Sequence, residues 1–251
     1  AELPYIATDD EMRTLHDSFA EMQQSLIKYV DELKVSTANK ERMESELRIA
    51  RAIQLGMVPK IFPPFPERHD VDVYARISPA REVGGDLYDF FIENGKLYFI
   101  IGDVSGKGIP ASLVMAVTCR LFRTIAYNVE TPEGIVSTLN DALSESNESN
   151  MFCTAFLGVL NLQTGVMRYC NAGHNAPVLM HKEGKVEYME VLPNLPLGLF
   201  GSFPYEGQEC VLNEGDSLFL YTDGVTEAEN VDKELYSDEY LLTFLVGCHQ
   251  E

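Results

Sequence analysis

Three aspartates are the residues of this sequence best placed to do chemistry. Asp86, Asp103 and Asp223 each adjoin a glycine, and each lies at one end of a run rich in aromatic and β-branched residues. Carboxylate oxygens with open space beside them suit a hydrated Mg²⁺ or Mn²⁺ ion better than zinc. An aspartate in a turn is common, so Asp223 alone would indicate little. The prediction of a metal site therefore depends on whether the three residues converge.

A β-hairpin is predicted between residues 84 and 108, and it would bring two of these aspartates together. Its two strand-like runs flank Asn94-Gly95, a pair that suits a two-residue type I′ turn. Counting outward from this turn gives the facing pairs Phe91 with Tyr98, Tyr88 with Ile101, and Asp86 with Asp103.

Like charges that face each other across two strands repel, so this pairing requires compensation. A raised pKa on one carboxylate would provide it, and so would a divalent cation held between the two. The alternative is a bulge that shifts the register and leaves two unrelated aspartates. The hairpin alone does not decide between these interpretations.

The turn after Asp103 is a weaker candidate for binding phosphate. It lacks the glycine spacing and the hydroxyl residue of a nucleotide P-loop. Its backbone N–H groups, including that of Gly106, still lie near a predicted helix start where an anion could bind, with Lys107 as a helper. An exposed lysine in a tight turn is the simpler interpretation of Lys107. His174 could shuttle a proton, but its turn-rich surroundings favour a structural role.

Composition narrows the classes of function. The sequence has 251 residues and a net charge of −20, which argues against binding nucleic acid or an anionic membrane. Its five cysteines are never spaced as Cys-x-x-Cys, so neither a zinc site nor a disulfide framework is indicated. No run approaches a membrane span and no signal-peptide pattern is evident. The cysteine usage fits a reducing cytoplasm best, so we expect a cytoplasmic protein.

The N-terminal part has the apolar spacing of a coiled coil. From Met12 to Leu33 apolar residues recur at alternating steps of three and four. The same frame then places polar Ser36 and Lys40 in the seam, so we expect a parallel dimer that is weak in its middle. A single amphipathic helix lying on its own domain is the alternative. Prolines between residues 59 and 66 end the pattern.

The remaining pattern predicts an α+β fold of two packed antiparallel sheets with helices outside. A strand is predicted at 71–77, ahead of the hairpin. Two helices follow, starting near Pro110 and at Thr131. Short strands then continue to residue 221, with 209–212 and 217–221 predicted to pair, and Ser237 starts a last helix.

Four motifs together resemble the bacterial SpoIIE/RsbU-type branch of the PPM (protein phosphatase 2C-like) serine/threonine phosphatases. They are Arg81-Glu82-Val83-Gly84-Gly85-Asp86, Gly102-Asp103-Val104-Ser105-Gly106-Lys107-Gly108, Asn171-Ala172-Gly173-His174-Asn175 and Tyr221-Thr222-Asp223-Gly224-Val225-Thr226-Glu227. The resemblance covers about residue 50 to the end. It implies two stacked β-sheets and a Mg²⁺/Mn²⁺ centre that hydrolyses phosphoserine or phosphothreonine on STAS-domain partner-switching proteins.

Carried over by position, the resemblance implies a role for each motif aspartate. Asp86 and Asp103 match metal-binding aspartates, the backbone carbonyl of Val104 matches a further ligand, and Asp223 matches the aspartate of a second metal. These three aspartates would therefore carry catalysis, with two cations lowering the pKa of a shared water that attacks phosphorus. Binding a metal would also relieve the repulsion between Asp86 and Asp103.

The resemblance extends, more weakly, to the N-terminus, where residues Asp9 to Leu26 are similar to the second helix of a HAMP signalling domain. We therefore expect a HAMP-like segment over 1–30, a coiled-coil linker and proline-rich boundary over 31–66, and a phosphatase domain over 67–251. An upstream membrane sensor would regulate the site through the dimeric linker, in which Ser36 and Lys40 are the positions able to switch. A catalytically silent dimeric scaffold that binds a partner is the alternative function.

One departure from the family pattern affects the expected activity. The pattern ends with a further strand that carries an Asp-Asp-x-Thr motif, and the 251 residues do not contain it. The resemblance thus implies that a metal ligand and a strand are missing from this sequence. We expect the chain as given to bind at most one metal well and to be weakly active or inactive.

Overall fold

The computed structural model describes residues 11–79, 82–145 and 147–249. These fall into two units, with one unit formed by residues up to Ala50 and the other running from Arg51 onward. Residues 1–10 of the predicted HAMP-like segment lie outside the described residues, as does Arg81 of the first family motif.

The first unit consists of most of a single helix, α1 (Glu11–Leu55). Its polar side chains pair with each other one turn apart, as in Lys40 with Glu44 (3.9 Å) and Arg42 with Glu46 (3.0 Å). The predicted seam residues are exposed in the single chain, including Leu15 (63%) and Leu26 (61%). An isolated helix of this kind presents a long apolar stripe to water.

The second unit alternates groups of strands and helices largely as the sequence predicts. Its elements are β1 (Leu87–Glu93), β2 (Lys96–Val104), α2 (Ile109–Ala126), α3 (Pro132–Ser144), β3 (Cys153–Asn161), β4 (Val166–Ala172), β5 (Val178–Met180), β6 (Val186–Tyr188), β7 (Gln208–Val211), β8 (Ser217–Phe219), α4 (Asp223–Thr226) and α5 (Ser237–His249). The start of α3 is capped by the Thr131 hydroxyl, which accepts a hydrogen bond from Gly134 N.

Two antiparallel sheets form from these strands. Sheet A has the order β1-β2-β3-β4-β7 and sheet B the order β6-β5-β8. The predicted pairing of 209–212 with 217–221 is wrong, because β7 pairs with β4 and β8 pairs with β5. The carboxylate of Asp216 accepts hydrogen bonds from the backbone N–H of Asn213 and of Lys182. The bond to Lys182, which follows β5, ties this turn to sheet B.

The strand predicted at 71–77 is also wrong. Burial alternates along this described segment as a strand would require, and Ile77 packs against the core, but the backbone is irregular. Strand β1 is the edge of sheet A. On the face that Phe90 shares with its partner Phe99, the rings of Phe62 and Phe65 lie 6.0 and 5.9 Å from that of Phe90. Side-chain packing thus covers one face of this edge strand without forming a sixth strand.

Three apolar clusters separate four layers, and this arrangement confirms the predicted fold class. The first lies between sheet A and helices α2 and α3, the second between the two sheets, and the third between sheet B and α5. Along β2, Tyr98 and Ile100 belong to the first cluster, while Phe99 and Ile101 pack in the second. Because side chains alternate along a strand, Asp103 lies on the face between the sheets.

Helix α2 corrects one expectation from the sequence. Its 18 residues are long and apolar enough for a membrane span, although no such run was expected. One of its faces is fully buried against sheet A, with Ala111, Met115 and Phe122 in the first cluster. Packing of this kind is typical of a core helix.

A buried ion pair fixes α2 to the edge strand β1. Asp89 is only 1% exposed, and the guanidinium of Arg123 donates to both of its carboxylate oxygens, at 2.5 and 2.6 Å. The same guanidinium donates to Phe90 O at 3.3 Å and lies 5.4 Å from the centre of the Phe91 ring. Helix and hairpin are thereby joined by a bidentate contact.

We expect Arg123→Met to lower the free energy of unfolding by about 3 to 5 kcal/mol, because it leaves the buried Asp89 carboxylate with a hydrogen bond from Phe90 N but without its cationic partner. Urea denaturation measures the effect. The exposed Arg120 of the same helix provides the control, and Arg120→Met should cost less than about 0.5 kcal/mol. The double variant Asp89→Asn with Arg123→Met should lose less than Arg123→Met alone. Equal losses would show that the buried charge is not the cause.

Candidate metal centre

The hairpin that carries Asp86 and Asp103 has the predicted register. Strands β1 and β2 pair without a bulge from Leu87 with Gly102 to Glu93 with Lys96. The turn residues Asn94 and Gly95 have φ values of 50° and 75°, as a type I′ turn requires. Beyond the last pair, Val104 N donates to Gly85 O at 3.3 Å. The register therefore continues and places Asp86 opposite Asp103, which removes the bulge alternative.

Gly85 marks the point where two candidate oxygen ligands converge. A Cβ atom at this position would lie 2.5 Å from the carbonyl oxygen of Val104 and 2.9 Å from Oδ1 of Asp103. Only a residue without a side chain fits against these two atoms. A backbone carbonyl and a carboxylate that approach the same small space form a hard-oxygen donor set, the type that Mg²⁺ and Mn²⁺ prefer.

The carboxylates repel one another across this space. Burial raises the pKa of Asp103, as do the charges of Asp86, Asp223 and, least, Glu227, while a hydrogen bond from the Val104 backbone opposes the shift. The resulting pKa is about 7. Burial also raises the pKa of Asp86, while a hydrogen bond from Thr222 opposes that shift. Asp103 lies on β2 and Asp86 directly precedes β1, whereas Asp223 begins the short helix that follows sheet B. A cation between these negative charges would relieve their repulsion.

The third aspartate sits in a different local structure from the one predicted. Strand β8 ends at Phe219, and Asp223 is the first residue of the short helix α4. Thr222 occupies the N-cap position, yet its side chain makes no capping hydrogen bond. Its interaction with Asp86 lowers the pKa of that carboxyl and so opposes the effect of burial. This role of Thr222 could not be predicted from the sequence, because a threonine before Asp-Gly looks like an ordinary helix cap.

These residues fit a hydrated divalent cation better than a closed protein cage. Within the described ranges, no group of three or more His, Cys, Asp or Glu side chains is close enough to enclose a metal. Magnesium keeps several waters and binds through one or two carboxylates. Asp103 with the Val104 carbonyl supplies such a pair of oxygens, and Asp86 and Asp223 lie near enough to raise the Asp103 pKa.

The loop proposed for phosphate follows β2 directly. Ser105 anchors it, because Ser105 N donates to Phe152 O at 2.8 Å and its hydroxyl accepts from Phe152 N at 2.9 Å. Gly106 (φ 89°) and Gly108 (φ 78°) adopt left-handed conformations, and Lys107 is exposed. The loop leads into the start of α2, and its role in binding phosphate remains a prediction.

His174 lies in a structural setting close to the aspartates. Its ring is buried, with Nδ1 3.0 Å from the Thr154 hydroxyl, which donates in turn to the carbonyl of Asp103 at 3.3 Å. The Asn171 amide accepts a hydrogen bond from His174 N at 3.1 Å and donates one to His174 O at 3.0 Å. Burial lowers the pKa of His174 to about 4, opposed by the Tyr221 backbone. The imidazole is therefore neutral near pH 7. Its Nδ1 contacts Thr154 of strand β3, and its Nε2 is buried without a hydrogen-bond partner among the residues that the structure describes.

The low pKa of His174 predicts acid sensitivity. An unfolded chain binds a proton below the ordinary value of 6.5, whereas the folded protein does not until about pH 4. The free energy of unfolding should therefore fall by about 3 kcal/mol between these values. His174→Gln should remove this component, so the difference between wild type and variant must change with pH. Urea denaturation at pH 7 and pH 4.5 in chelator tests this, and parallel losses in both proteins would contradict it.

Four layers with acidic residues at the inter-sheet face define a protein phosphatase 2C-like fold, and solved structures agree. The SiaA-PP2C domain of Pseudomonas aeruginosa superimposes with a TM-score of 0.72 at 18% identity, over 83% of each chain. RsbX in complex with magnesium superimposes with a TM-score of 0.50 at 20% identity, over 68% of this chain and 82% of RsbX. Similarity at these identities establishes the fold.

Sequence similarity then identifies the family. Residues 93–251 match the family model described as Stage II sporulation protein E (SpoIIE). Phosphoserine phosphatase RsbU of Bacillus subtilis is 28% identical over 188 residues, which cover 74% of this chain and 55% of RsbU. The chain therefore belongs to the SpoIIE family of PPM phosphatases. It spans about half the length of the curated relatives that it matches, 55% of RsbU and 41% of the protein IcfG.

Proposed function

We propose that this chain is the catalytic unit of a metal-dependent protein serine/threonine phosphatase. The observation that carries the proposal is the convergence of Val104 O and Asp103 Oδ1 on Gly85, beside two further carboxylates that raise the pKa of Asp103. The similarity to RsbU, a phosphoserine phosphatase, supports the same reaction.

Each residue of the centre has a distinct task in this proposal. Asp86, Asp103 and the Val104 carbonyl hold Mg²⁺ or Mn²⁺ from sheet A, and Asp223 approaches from the end of sheet B. When bound, the metal supplies a water of lowered pKa and neutralises phosphate charge. The Thr222 side chain lowers the pKa of Asp86, which favours the charged form of this carboxylate that would bind the metal. The Gly106 N–H and the Lys107 ammonium are placed to attract the substrate phosphate.

Mn²⁺-dependent release of phosphate from a phosphoserine peptide tests the reaction in the whole protein that contains this sequence. We expect release only with Mn²⁺ or Mg²⁺, and a loss of at least about 100-fold in Asp223→Asn. Asp232→Asn changes an exposed acid outside the centre and should retain activity. Release that is independent of metal and of Asp223 would refute the proposal. A complete lack of release would favour the silent scaffold.

The substrate and location follow from the family resemblance and are also proposals. We infer that the substrate is a phosphorylated STAS-domain protein and that the reaction takes place in the cytoplasm, with no nucleic acid involved. The resemblance to SpoIIE/RsbU-type phosphatases supports this choice. A phosphorylated STAS-domain protein should be hydrolysed faster than a short peptide of the same phosphoserine sequence. Equal rates would show that the enzyme does not recognise the folded partner.

Regulation is proposed to act through a homodimer formed by α1, driven by an upstream membrane sensor. The exposed stripe that includes Leu15 and Leu26 supports a seam, and Ser36 and Lys40 weaken it in the middle. Replacing both polar residues with leucine should strengthen the dimer in analytical ultracentrifugation and change activity in the whole protein. Unchanged assembly and unchanged activity would exclude the linker mechanism.

A further inference from the structure

Gln54 is an unusual residue in the last turn of α1. It is the buried residue of that helix, at 6% exposure, while the apolar Ile53 beside it is 59% exposed. Burial of an amide costs free energy unless its polar atoms form hydrogen bonds. The position of Gln54 therefore indicates that its amide makes specific contacts.

The amide of Gln54 binds both backbone groups of Gly84. Its Nε2 donates to Gly84 O at 2.6 Å, and its Oε1 accepts from Gly84 N at 3.3 Å. This reciprocal pair imitates the contact that a neighbouring strand would make with the same residue. Because each bond is directional, the pair fixes both the position and the orientation of the Gly84 peptide groups.

The segment held by Gln54 leads directly into the metal centre. Gly84 is followed by Gly85, whose Cα lies against Val104 O and Asp103 Oδ1 without room for a methyl group, and then by Asp86. The segment is thus confined between Gln54 on one side and strand β2 on the other. A shift of the Gly84 backbone would move the Asp86 carboxylate relative to Asp103.

The chain leaving α1 is attached to the same strand at further points. Val58 is buried in the first apolar cluster, and the Tyr88 hydroxyl donates to Pro59 O at 2.7 Å. The end of α1 and the residues that follow it therefore contact the chain at Gly84 and at Tyr88, on either side of Asp86.

We propose that Gln54 is a positioning residue that sets the affinity of the metal centre by fixing Gly84 and hence Asp86. The inference rests on the proposed function, in which Asp86 is a metal ligand. Binding of the metal then depends on whether residues 51–55 are helical. Unwinding or rotation of this turn removes the amide from Gly84 and weakens the binding of Mn²⁺.

Calorimetric titration of Mn²⁺ into the metal-free protein tests the inference without using catalysis. Gln54→Leu keeps the size of the side chain and removes both hydrogen bonds, and it should weaken Mn²⁺ binding by about 10- to 100-fold. Gln54→Glu loses the donor to Gly84 O and should weaken binding as well. Gln24→Leu changes an exposed glutamine on the same helix and should leave the affinity unchanged. Near-ultraviolet circular dichroism confirms that each variant is folded.

Asp86→Asn separates this inference from the proposed function. If Gln54 acts through Asp86, the double variant Gln54→Leu with Asp86→Asn should bind Mn²⁺ no more weakly than Asp86→Asn alone. Wild-type affinity in both Gln54 variants, with weakened binding in Asp86→Asn, would overturn the positioning role and leave the metal centre intact. Wild-type affinity in Asp86→Asn would overturn the proposed centre itself, and this inference with it.

Discussion

Replacing Gly85 with alanine is expected to weaken Mn²⁺ binding by about 100-fold, although it adds a single methyl group. The new Cβ would lie 2.5 Å from the Val104 carbonyl oxygen and 2.9 Å from Asp103 Oδ1. One of these atoms belongs to the backbone of β2, so relief requires the two strands to separate. Both atoms are proposed ligands, so their displacement would disrupt the arrangement of oxygen atoms that binds the metal.

The adjacent residue provides a matched control. A Cβ on Gly84 would approach nothing closer than Pro79 Cβ, at 3.4 Å, which is an ordinary contact. Gly84→Ala should therefore bind Mn²⁺ within about twofold of wild type, because it keeps the backbone groups that Gln54 holds. Titration calorimetry of both variants measures the difference. Similar affinities in the two would show that the space beside Gly85 does not matter for the metal.

Asp103→Asn is expected to abolish the proposed phosphatase activity of the whole protein and yet to stabilise the metal-free protein. Burial and two neighbouring carboxylates raise the pKa of Asp103 from 3.8 to about 7, so the folded state disfavours the charged form. Between these pH values the folded protein binds more protons than the unfolded chain. The free energy of unfolding therefore falls as pH rises through this window, and the deficit is complete above about pH 7.

The asparagine removes that deficit because it carries no charge. The shift corresponds to about 4 kcal/mol if fully expressed, but solvent reaches the half-buried carboxylate and screens part of the repulsion. We expect a gain of about 1 to 2 kcal/mol at pH 8 and almost none near pH 4. Urea denaturation in chelator measures it, and Asp232→Asn serves as the control. A variant less stable than wild type at pH 8 would contradict the proposed repulsion.

The hairpin could be predicted from the sequence because neighbouring residues determine it. Asn94-Gly95 determines the turn, the turn determines the register, and the register places Asp86 opposite Asp103. The starts of α2 and α3 were predicted for the same reason, since Pro110 and the Thr131 hydroxyl act within one helical turn.

Features that depend on distant partners could not be predicted in this way. The alternating segment 71–77 has the pattern of a strand, but a strand also needs a neighbour with free backbone groups. The turn that contains Asp216 resembles a hairpin turn until Lys182, remote in sequence, supplies a hydrogen bond.

The supporting residues of the site were missed for a similar reason. Thr222 and Gln54 have ordinary local explanations, a helix cap and a polar helix residue, and their roles become visible only when Asp86 and Gly84 are in place. His174 was the exception, because turn chemistry around Asn171 already indicated a structural role.

The aromatic cover over β1 determines where the protein can be shortened. Residues 54–65 provide the amide on Gly84, the carbonyl for Tyr88 and the rings that pack on Phe90. A recombinant fragment that begins at residue 67 would lack all of them, and the Phe90 ring would face water beside an unpaired edge strand, a combination that promotes aggregation. Expression boundaries are therefore better placed before Arg51, where the second compact unit starts.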